Sequence, residues 1–198
     1  YTSLFRSRIT ELSPTLGDGP AKPVLATSAT GSDLPLTTPA PVEVYNDGTI
    51  RVLAVINTHF NFDPNSPEGK IARSYAYRIE TKGRTYVYTG DTGVSDAVTS
   101  LAKGADLLIS EVVDPVAIQA AAQRKPPADR AAFLFHQLKE HLPPDAIGTM
   151  ATAAGVKAVV LTHLVPGGDP NADPAPYTAG VLAKFKGPVT LAKDLGAY

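Results

Sequence analysis

The sequence contains no cysteine, and neither a long apolar run nor an excess of charge of one sign is present. Without cysteine, disulfide bonds, thiolate metal ligands and a cysteine nucleophile are all excluded. No stretch approaches the ~20 apolar residues that a membrane-spanning helix needs, so we expect a soluble protein with no membrane partner. The missing cysteine does not decide between cytoplasm and periplasm. Any metal site must be built from histidine and carboxylate side chains.

The charge balance is almost even, with 18 Lys and Arg against 19 Asp and Glu, a formal net charge of -1. Proteins that bind polyanions do so through clustered basic residues. The balance therefore argues against nucleic acid and against anionic lipid as partners. It leaves small molecules and other proteins as the expected ligands.

The chain begins Tyr1-Thr2-Ser3-Leu4, without an initiator methionine and without the basic and apolar regions of a signal peptide. Either its beginning has been processed away or it is part of a longer protein. Residues 1–48 are rich in Pro, Gly, Ser and Thr and predict a loop-like, extended segment. Residues 49–198 have a different texture and predict one α/β domain.

Within 49–198, short β-branched apolar runs alternate with segments of helical spacing, which predicts an α/β layered architecture. The predicted strands are 51–56, 75–79, 85–88, 106–110, 158–161 and 188–191, and the predicted helices are 94–103, 115–123, 129–140, 143–154 and 176–184.

Three residues that can bind metal ions follow directly after predicted strands. They are His59, Asp91 and His163. Ligands and catalytic groups gather at strand ends in layered α/β proteins, because the strands fix positions while the loops leave one face open. Imidazole and carboxylate groups are ligands of Zn²⁺, Mn²⁺ and Fe ions. The three residues together predict part of a metal site.

Each of these residues also has a plainer interpretation. A single histidine after a strand is more often a loop or capping residue, and the segment 90–93, Gly-Asp-Thr-Gly, could be an ordinary turn. His136 and His141 could lie on a solvated helix face, and for His136 that alternative is favoured. The repetition of the strand-end pattern favours the metal site.

Three motifs support a resemblance. Gly90-Asp91-Thr92 follows a strand, an Asp-x-x-x-x-Glu string ending at Glu111 follows the next helix, and Leu161-Thr162-His163 follows an Ala-Gly-Val-Lys turn. In combination they resemble the second half of a metallo-β-lactamase-fold hydrolase, in its ribonuclease Z-like branch. The resemblance implies that residues 49–198 form the second half of a four-layer αββα sandwich.

The resemblance also implies roles. Asp91 would bridge two divalent metal ions, zinc first with manganese or iron as alternatives, and would be catalytic. His59 would bind the first ion and His163 the second. His141 would assist proton transfer to the leaving group, and Glu111 would orient a ligating imidazole and set its tautomer.

The sequence departs from the family's pattern, since it has no His-x-His-x-Asp-His string. One explanation is that the chain is the C-terminal portion of a longer enzyme, whose N-terminal half supplies the remaining ligands and is therefore an expected partner. The other is a non-catalytic binding or structural module on a degenerate metallo-β-lactamase fold. The simultaneous presence of Asp91, His141 and His163 favours the enzyme. A homodimer is left open.

We therefore expect a metal-dependent hydrolase with a dinuclear centre. The interval from His59 to Asp91 leaves no room for the basic arm with which tRNA-processing members bind their substrate. This absence and the charge balance favour a small-molecule ester, namely a phosphodiester, sulfate ester or lactone. Phe60, Phe62 and Tyr177 are candidate apolar walls of the pocket.

Overall fold

A computed structural model describes residues 34, 40–167 and 173–198. The helices and strands of the described residues lie in one compact unit, Leu36–Tyr198. Residues 1–33 and 35–39 of the predicted loop-like segment lie outside the described part. Among the described residues, no helix has the length and apolar character needed to cross a bilayer.

Seven strands form one sheet in which the spatial order equals the chain order. They are β1 (Val42–Asn46), β2 (Arg51–Ile56), β3 (Tyr75–Glu80), β4 (Thr85–Tyr88), β5 (Leu107–Val113), β6 (Val159–Val165) and β7 (Val189–Leu191). The pairs from β1 to β4 are antiparallel, and those from β4 to β7 are parallel. Short turns join β1 to β2 and β3 to β4, and a longer segment with one short helix joins β2 to β3. The parallel neighbours are joined by crossovers through helices, as parallel pairing requires.

Six helices occur in the described ranges. They are α1 (Pro67–Ile71), α2 (Asp96–Leu101), α3 (Pro115–Gln123), α4 (Pro127–Lys139), α5 (Pro144–Ala154) and α6 (Ala175–Lys184). Proline occupies the first turn of every one of these helices except α2. In the first turn of a helix, the missing N–H of proline costs no hydrogen bond. The helix α5 ends at Gly155, whose φ of 64° is the left-handed cap that glycine adopts readily.

The core lies between one face of the sheet and the helices α2, α5 and α6. Its strand residues are Val55, Ala76, Val87, Leu108 and Leu161, and its helix residues include Val98, Leu101, Ile147, Met150, Ala151 and Val181. This layering confirms the predicted α/β class. The core holds the carboxyl ends of β2, β4 and β6 in fixed relation, and those ends carry the candidate site.

Several element boundaries differ from the sequence prediction. The strand β1 lies inside the segment predicted as loop-like, and α1 lies in a region predicted as a loop. The strands β5 and β6 continue to Val113 and Val165, so Glu111 and His163 lie within strands and not beyond them. Each extension follows a polar residue or pair that interrupts the apolar run, and its last two residues are apolar and paired between β5 and β6.

Candidate metal centre

Four residues singled out in the sequence come together beyond the sheet. One ligand atom from each of His59, Asp91 and His141 lies within 4.8 Å of the other two. The Nε2 atom of His163 lies 3.4 Å from Oδ2 of Asp91. The structure thus brings all four side chains to one place, although they are dispersed along more than half of the chain.

Asp91 is positioned by glycines on both sides. Gly90 has a φ of 60°, and a Cβ there would lie 2.7 Å from the carbonyl oxygen of Tyr75. A Cβ at Gly93 would lie 2.1 Å from the carbonyl oxygen of Lys139, at the end of α4. Only glycine permits both the left-handed turn after β4 and the close approach of α4. The Gly-Asp-Thr-Gly segment is therefore a turn whose geometry serves the site.

His163 is directed to the site by a β-bulge. In the pairing of β5 with β6, Glu111 lies opposite Thr162 and Val112 opposite Leu164, so His163 is the unpaired residue. Its φ of 43° is in the left-handed region, which is uncommon for a residue other than glycine. Bulges of this kind re-aim a side chain and concentrate near active sites. His163 therefore reaches Asp91 from inside a strand.

Glu111 and His141 form a buried pair. Their side chains are 1% and 5% exposed, and Oε2 of Glu111 lies 2.8 Å from Nδ1 of His141. The other oxygen, Oε1, accepts hydrogen bonds from the backbone N–H of Thr92 at 2.9 Å and of Leu142 at 3.1 Å. Because Nδ1 of His141 donates its hydrogen bond to the carboxylate, Nε2 is the ring nitrogen that remains for a metal ion or a substrate.

The charge of Glu111 also alters the acidity of this histidine. Burial by itself lowers the pKa of His141, but the hydrogen bond and the negative charge of Glu111 outweigh it, with smaller contributions from Asp91 and Glu140. The net effect raises the pKa of His141 above its ordinary value. A buried imidazole whose pKa is raised in this way is suited to act as a proton donor.

His59 is oriented by main-chain groups. Its Nδ1 lies 3.1 Å from the carbonyl oxygen of Glu140, which can only accept, so Nδ1 carries the hydrogen. Its backbone N–H donates to the side chain of Asn57, which is 5% exposed. As with His141, the ring nitrogen left for a metal ion is Nε2.

His136 belongs to the same cluster, which the sequence interpretation missed. Its ring centroid lies 5.8 Å from that of His59 and 5.5 Å from that of His141. Its Nδ1 lies 2.5 Å from Oε2 of Glu140. The side chain is 49% exposed, so about half of its surface is solvated, as predicted, and the rest is covered by protein. The sequence could have indicated this position. His136 lies one helical turn before the end of α4, and such a residue lies near the residues that follow the helix.

The donors fit a divalent metal ion. Imidazole nitrogens and a carboxylate oxygen are the ligands that zinc accepts in the absence of thiolates, and four such groups suffice for a tetrahedral site. His59, Asp91 and His141 are the one group of this kind among the described residues, and His163 adjoins it. A second ion would need further donors.

Phe60, the residue after His59, lines two cavities. One includes Thr58, Phe135 and Lys139 in its lining, and the other includes Phe62, Arg73 and Ser74. Phe60 and Phe62 thus line cavities, as the sequence analysis expected of them. Tyr177 lines neither of these two cavities, and its hydroxyl donates to the carbonyl of Pro166 at 2.7 Å.

Comparison with known proteins gives a consistent set of relatives. No model of a known protein family matches the chain. It is 30% identical over 170 residues to a putative ribonuclease Z of Mycobacterium tuberculosis strain CDC 1551 / Oshkosh, covering 81% of this chain and 67% of that protein. A ribonuclease Z of strain H37Rv is also 30% identical over 170 residues, but the chain spans only 55% of its length.

A solved structure shares the fold. The metallo-β-lactamase fold protein YhfI of Bacillus subtilis superposes with a TM-score of 0.52 and 21% identity, over 80% of this chain and 52% of that one. This likeness supports the fold expected from the sequence motifs. The sequence relatives place the chain in the expected branch.

The prediction about partners is wrong. The sequence analysis expected a small-molecule ester as substrate and argued against nucleic acid, whereas the relatives are named ribonucleases. The error has a physical cause, because net charge sums over the whole chain and does not report how charges are distributed around one site. The absence of a basic arm excludes one means of holding RNA, not contact at the metal centre itself.

Proposed function

Because the chain belongs to the ribonuclease Z family of metallo-β-lactamase-fold hydrolases, we propose that it takes part in the hydrolysis of RNA phosphodiester bonds. The observation that carries this proposal is the convergence of His59, Asp91 and His163 beside the buried Glu111–His141 pair. The convergence supports the proposal, because groups able to bind metal and a group able to donate a proton lie at one point, which hydrolysis requires and a purely structural module does not.

We propose that His59, Asp91 and His163 bind divalent metal, most simply zinc, with Asp91 shared between two ions. A bound divalent ion supplies an activated water near neutral pH and stabilises negative charge on the attacked phosphoryl group. The donors described here suffice for one ion. A second ion would need further donors.

His141 is the proposed general acid. Its Nδ1 is held by Glu111, so its Nε2 is the atom that would protonate the departing oxygen of the RNA. The raised pKa means that the ring binds its proton more firmly than an ordinary histidine does. Glu111 fixes the orientation of the ring and is itself fixed by the backbone N–H groups of Thr92 and Leu142.

A rival role for His141 is metal ligation. A histidine whose other nitrogen is bound by a carboxylate is also a common metal ligand, and His141 belongs to the same donor group as His59 and Asp91. The two roles differ in a measurable way, since removal of a ligand releases metal while removal of a general acid leaves it bound.

The test is the metal content and RNA cleavage of three variants. We expect stoichiometric metal in the wild-type protein and its loss in Asp91→Ala. Asp96→Ala is the matched control, because Asp96 is an exposed carboxylate at the start of α2. Metal content in Asp91→Ala equal to that of the wild type would contradict the site.

In His141→Ala we expect bound metal to persist while cleavage of a precursor RNA with a 3′ extension falls about 10²- to 10⁴-fold. Loss of metal together with cleavage would make His141 a ligand. A folded, metal-loaded wild-type protein that cleaves no RNA would favour the non-catalytic binding module.

A further inference from the structure

Two phenylalanine rings extend from the histidine cluster toward solvent. The ring centroid of Phe60 lies 4.8 Å from that of His59. The ring of Phe62 lies 5.7 Å from Phe60, with only 17° between the two planes. Phe62 is 48% exposed, so its apolar surface remains open beside a candidate reaction centre. Two nearly parallel rings at such a place offer a surface suited to a flat ligand group.

The cavity along these rings combines apolar and polar walls. Phe60 and Phe62 form part of its lining together with Asn57, Arg73 and Ser74. The Nη1 atom of Arg73 donates to the carbonyl oxygens of Gly69 at 2.8 Å and Ala72 at 2.7 Å. These two bonds hold a cationic guanidinium at the cavity although the side chain is exposed, so a positive charge is placed beside the aromatic surface.

We propose that Phe60 and Phe62 form a stacking surface for an unpaired nucleobase next to the scissile phosphate of single-stranded RNA, with Arg73 beside a neighbouring phosphate. This inference rests on the proposed function for its substrate class. Bases stack on aromatic side chains with little sequence preference, and arginine pairs with phosphate through parallel hydrogen bonds. A base inside a duplex cannot offer its face, so the surface selects a single-stranded segment.

The position of the pair explains why it would affect the reaction. Phe60 follows His59 directly in the chain, and its ring contacts that of His59. A base stacked on the pair would therefore place the adjoining phosphate near His59 and Asp91. Positioning of this kind raises the effective concentration of the reacting group at the centre.

The test measures binding to the metal-loaded protein in the His141→Ala background, where cleavage is slow. The probe is a short single-stranded RNA with 2-aminopurine at the base next to the scissile phosphate, compared with the same RNA abasic at that position. We expect quenching of 2-aminopurine on binding. We expect Phe62→Leu to weaken binding about 5- to 100-fold, and Phe62→Tyr, which keeps the ring, to bind as the parent does.

The abasic RNA supplies the decisive comparison, because Phe62→Leu should not weaken its binding further. Tyr45→Leu is the control, since Tyr45 is an aromatic residue of β1 that is 52% exposed and lines neither cavity. Equal affinity of both RNAs, or unchanged affinity in Phe62→Leu and Phe60→Leu, overturns the stacking surface even if RNA is cleaved. Phe62-dependent quenching by a protein that cleaves no RNA supports the surface and defeats the proposed function instead.

Discussion

At the residue scale, Glu111 joins the stability of the fold to the chemistry of the site. Its carboxylate is almost fully buried and accepts hydrogen bonds from two backbone N–H groups and from His141. Removal of the partners of a buried charge lowers the stability of the folded state. Removal of the charge itself also lowers it, because the buried N–H donors then lose their acceptor. The same carboxylate raises the pKa of His141.

We predict that Glu111→Gln lowers the pKa of His141 in the metal-free protein, as measured by NMR titration of the imidazole. The folded-state pKa of His141 is raised, so its stabilising contribution is fully present below pH about 6.5 and is lost as pH rises through that folded pKa. The stability advantage of the wild type over Glu111→Gln should therefore shrink as the pH is raised above about 6.5.

The control for this titration is Glu43→Gln. Glu43 pairs with Arg51 on the surface at 2.6 Å, and exposed pairs contribute little to stability. The pKa of His141 should be unchanged in that variant. An unchanged pKa in Glu111→Gln as well would mean that the carboxylate does not govern the acidity of His141.

At the scale of secondary-structure elements, the site depends on where α4 ends and on how β6 departs from regular pairing. The end of α4 contacts Gly93 closely, and Glu140, which follows it, accepts a hydrogen bond from His59. The bulge in β6 places His163 opposite no residue of β5. The residues that position the site therefore lie at the end of α4 and at the bulge of β6, where the regular structure of each element is interrupted.

We predict that Gly93→Ala destabilises the protein by about 1–3 kcal/mol, because its Cβ would meet backbone at the end of α4 and not a flexible side chain. Urea denaturation measures this change. Metal affinity should fall as well, since the displaced segment includes the carbonyl that orients His59.

Gly83→Ala is the matched control for this substitution. Gly83 lies in the turn between β3 and β4, where a Cβ would have no atom within 4 Å. The free energy of unfolding of the Gly83→Ala variant should be equal to that of the wild type or slightly higher. Equal stability of the two variants would contradict the close approach of α4 to Gly93.

At the scale of the whole molecule, a bound metal ion would connect parts of the chain that are remote in sequence. His59 follows β2, Asp91 follows β4, His141 precedes α5 and His163 lies in β6. Their common meeting point exists only in the folded state. Metal binding and folding should therefore be coupled.

We predict that removal of metal with a chelator lowers the midpoint of thermal unfolding. An ion present at about 100 times its Kd stabilises the folded state by about 2.7 kcal/mol if it does not bind the unfolded chain. Calorimetry with and without added zinc measures the effect. Asp91→Ala should show no such response, whereas an equal response in both proteins would place the stabilising ion elsewhere.

Much of the fold could be predicted because its signals are local. The apolar runs predicted the strands from β2 to β7, and Gly155 marked the end of α5. The strand β1 and the helix α1 were not predicted, because their residues are mostly exposed and leave no apolar pattern. Their formation depends on pairing and on a Ser66 cap.

The candidate site was only partly accessible from the sequence. His59 and Asp91 follow strands and could be recognised by that position. His163 was recognised in the same way, but the bulge that turns its side chain to the site has no periodic signal, and neither has the place of His136 one turn before the end of α4. The partner prediction was wrong because overall charge carries no information about local arrangement.

The sequence by itself determined the α/β class, the absence of thiolate chemistry and the residue types from which a metal site must be built. These follow from composition and short-range pattern, which do not depend on distant contacts. Only the tertiary structure decided that the four histidines form one cluster with three of them beside Asp91, that Glu111 is buried against His141, and that an exposed aromatic pair adjoins His59. The physical reason is that side chains far apart in the chain become neighbours through strand pairing, helix packing and one bulge, and no local pattern records those contacts.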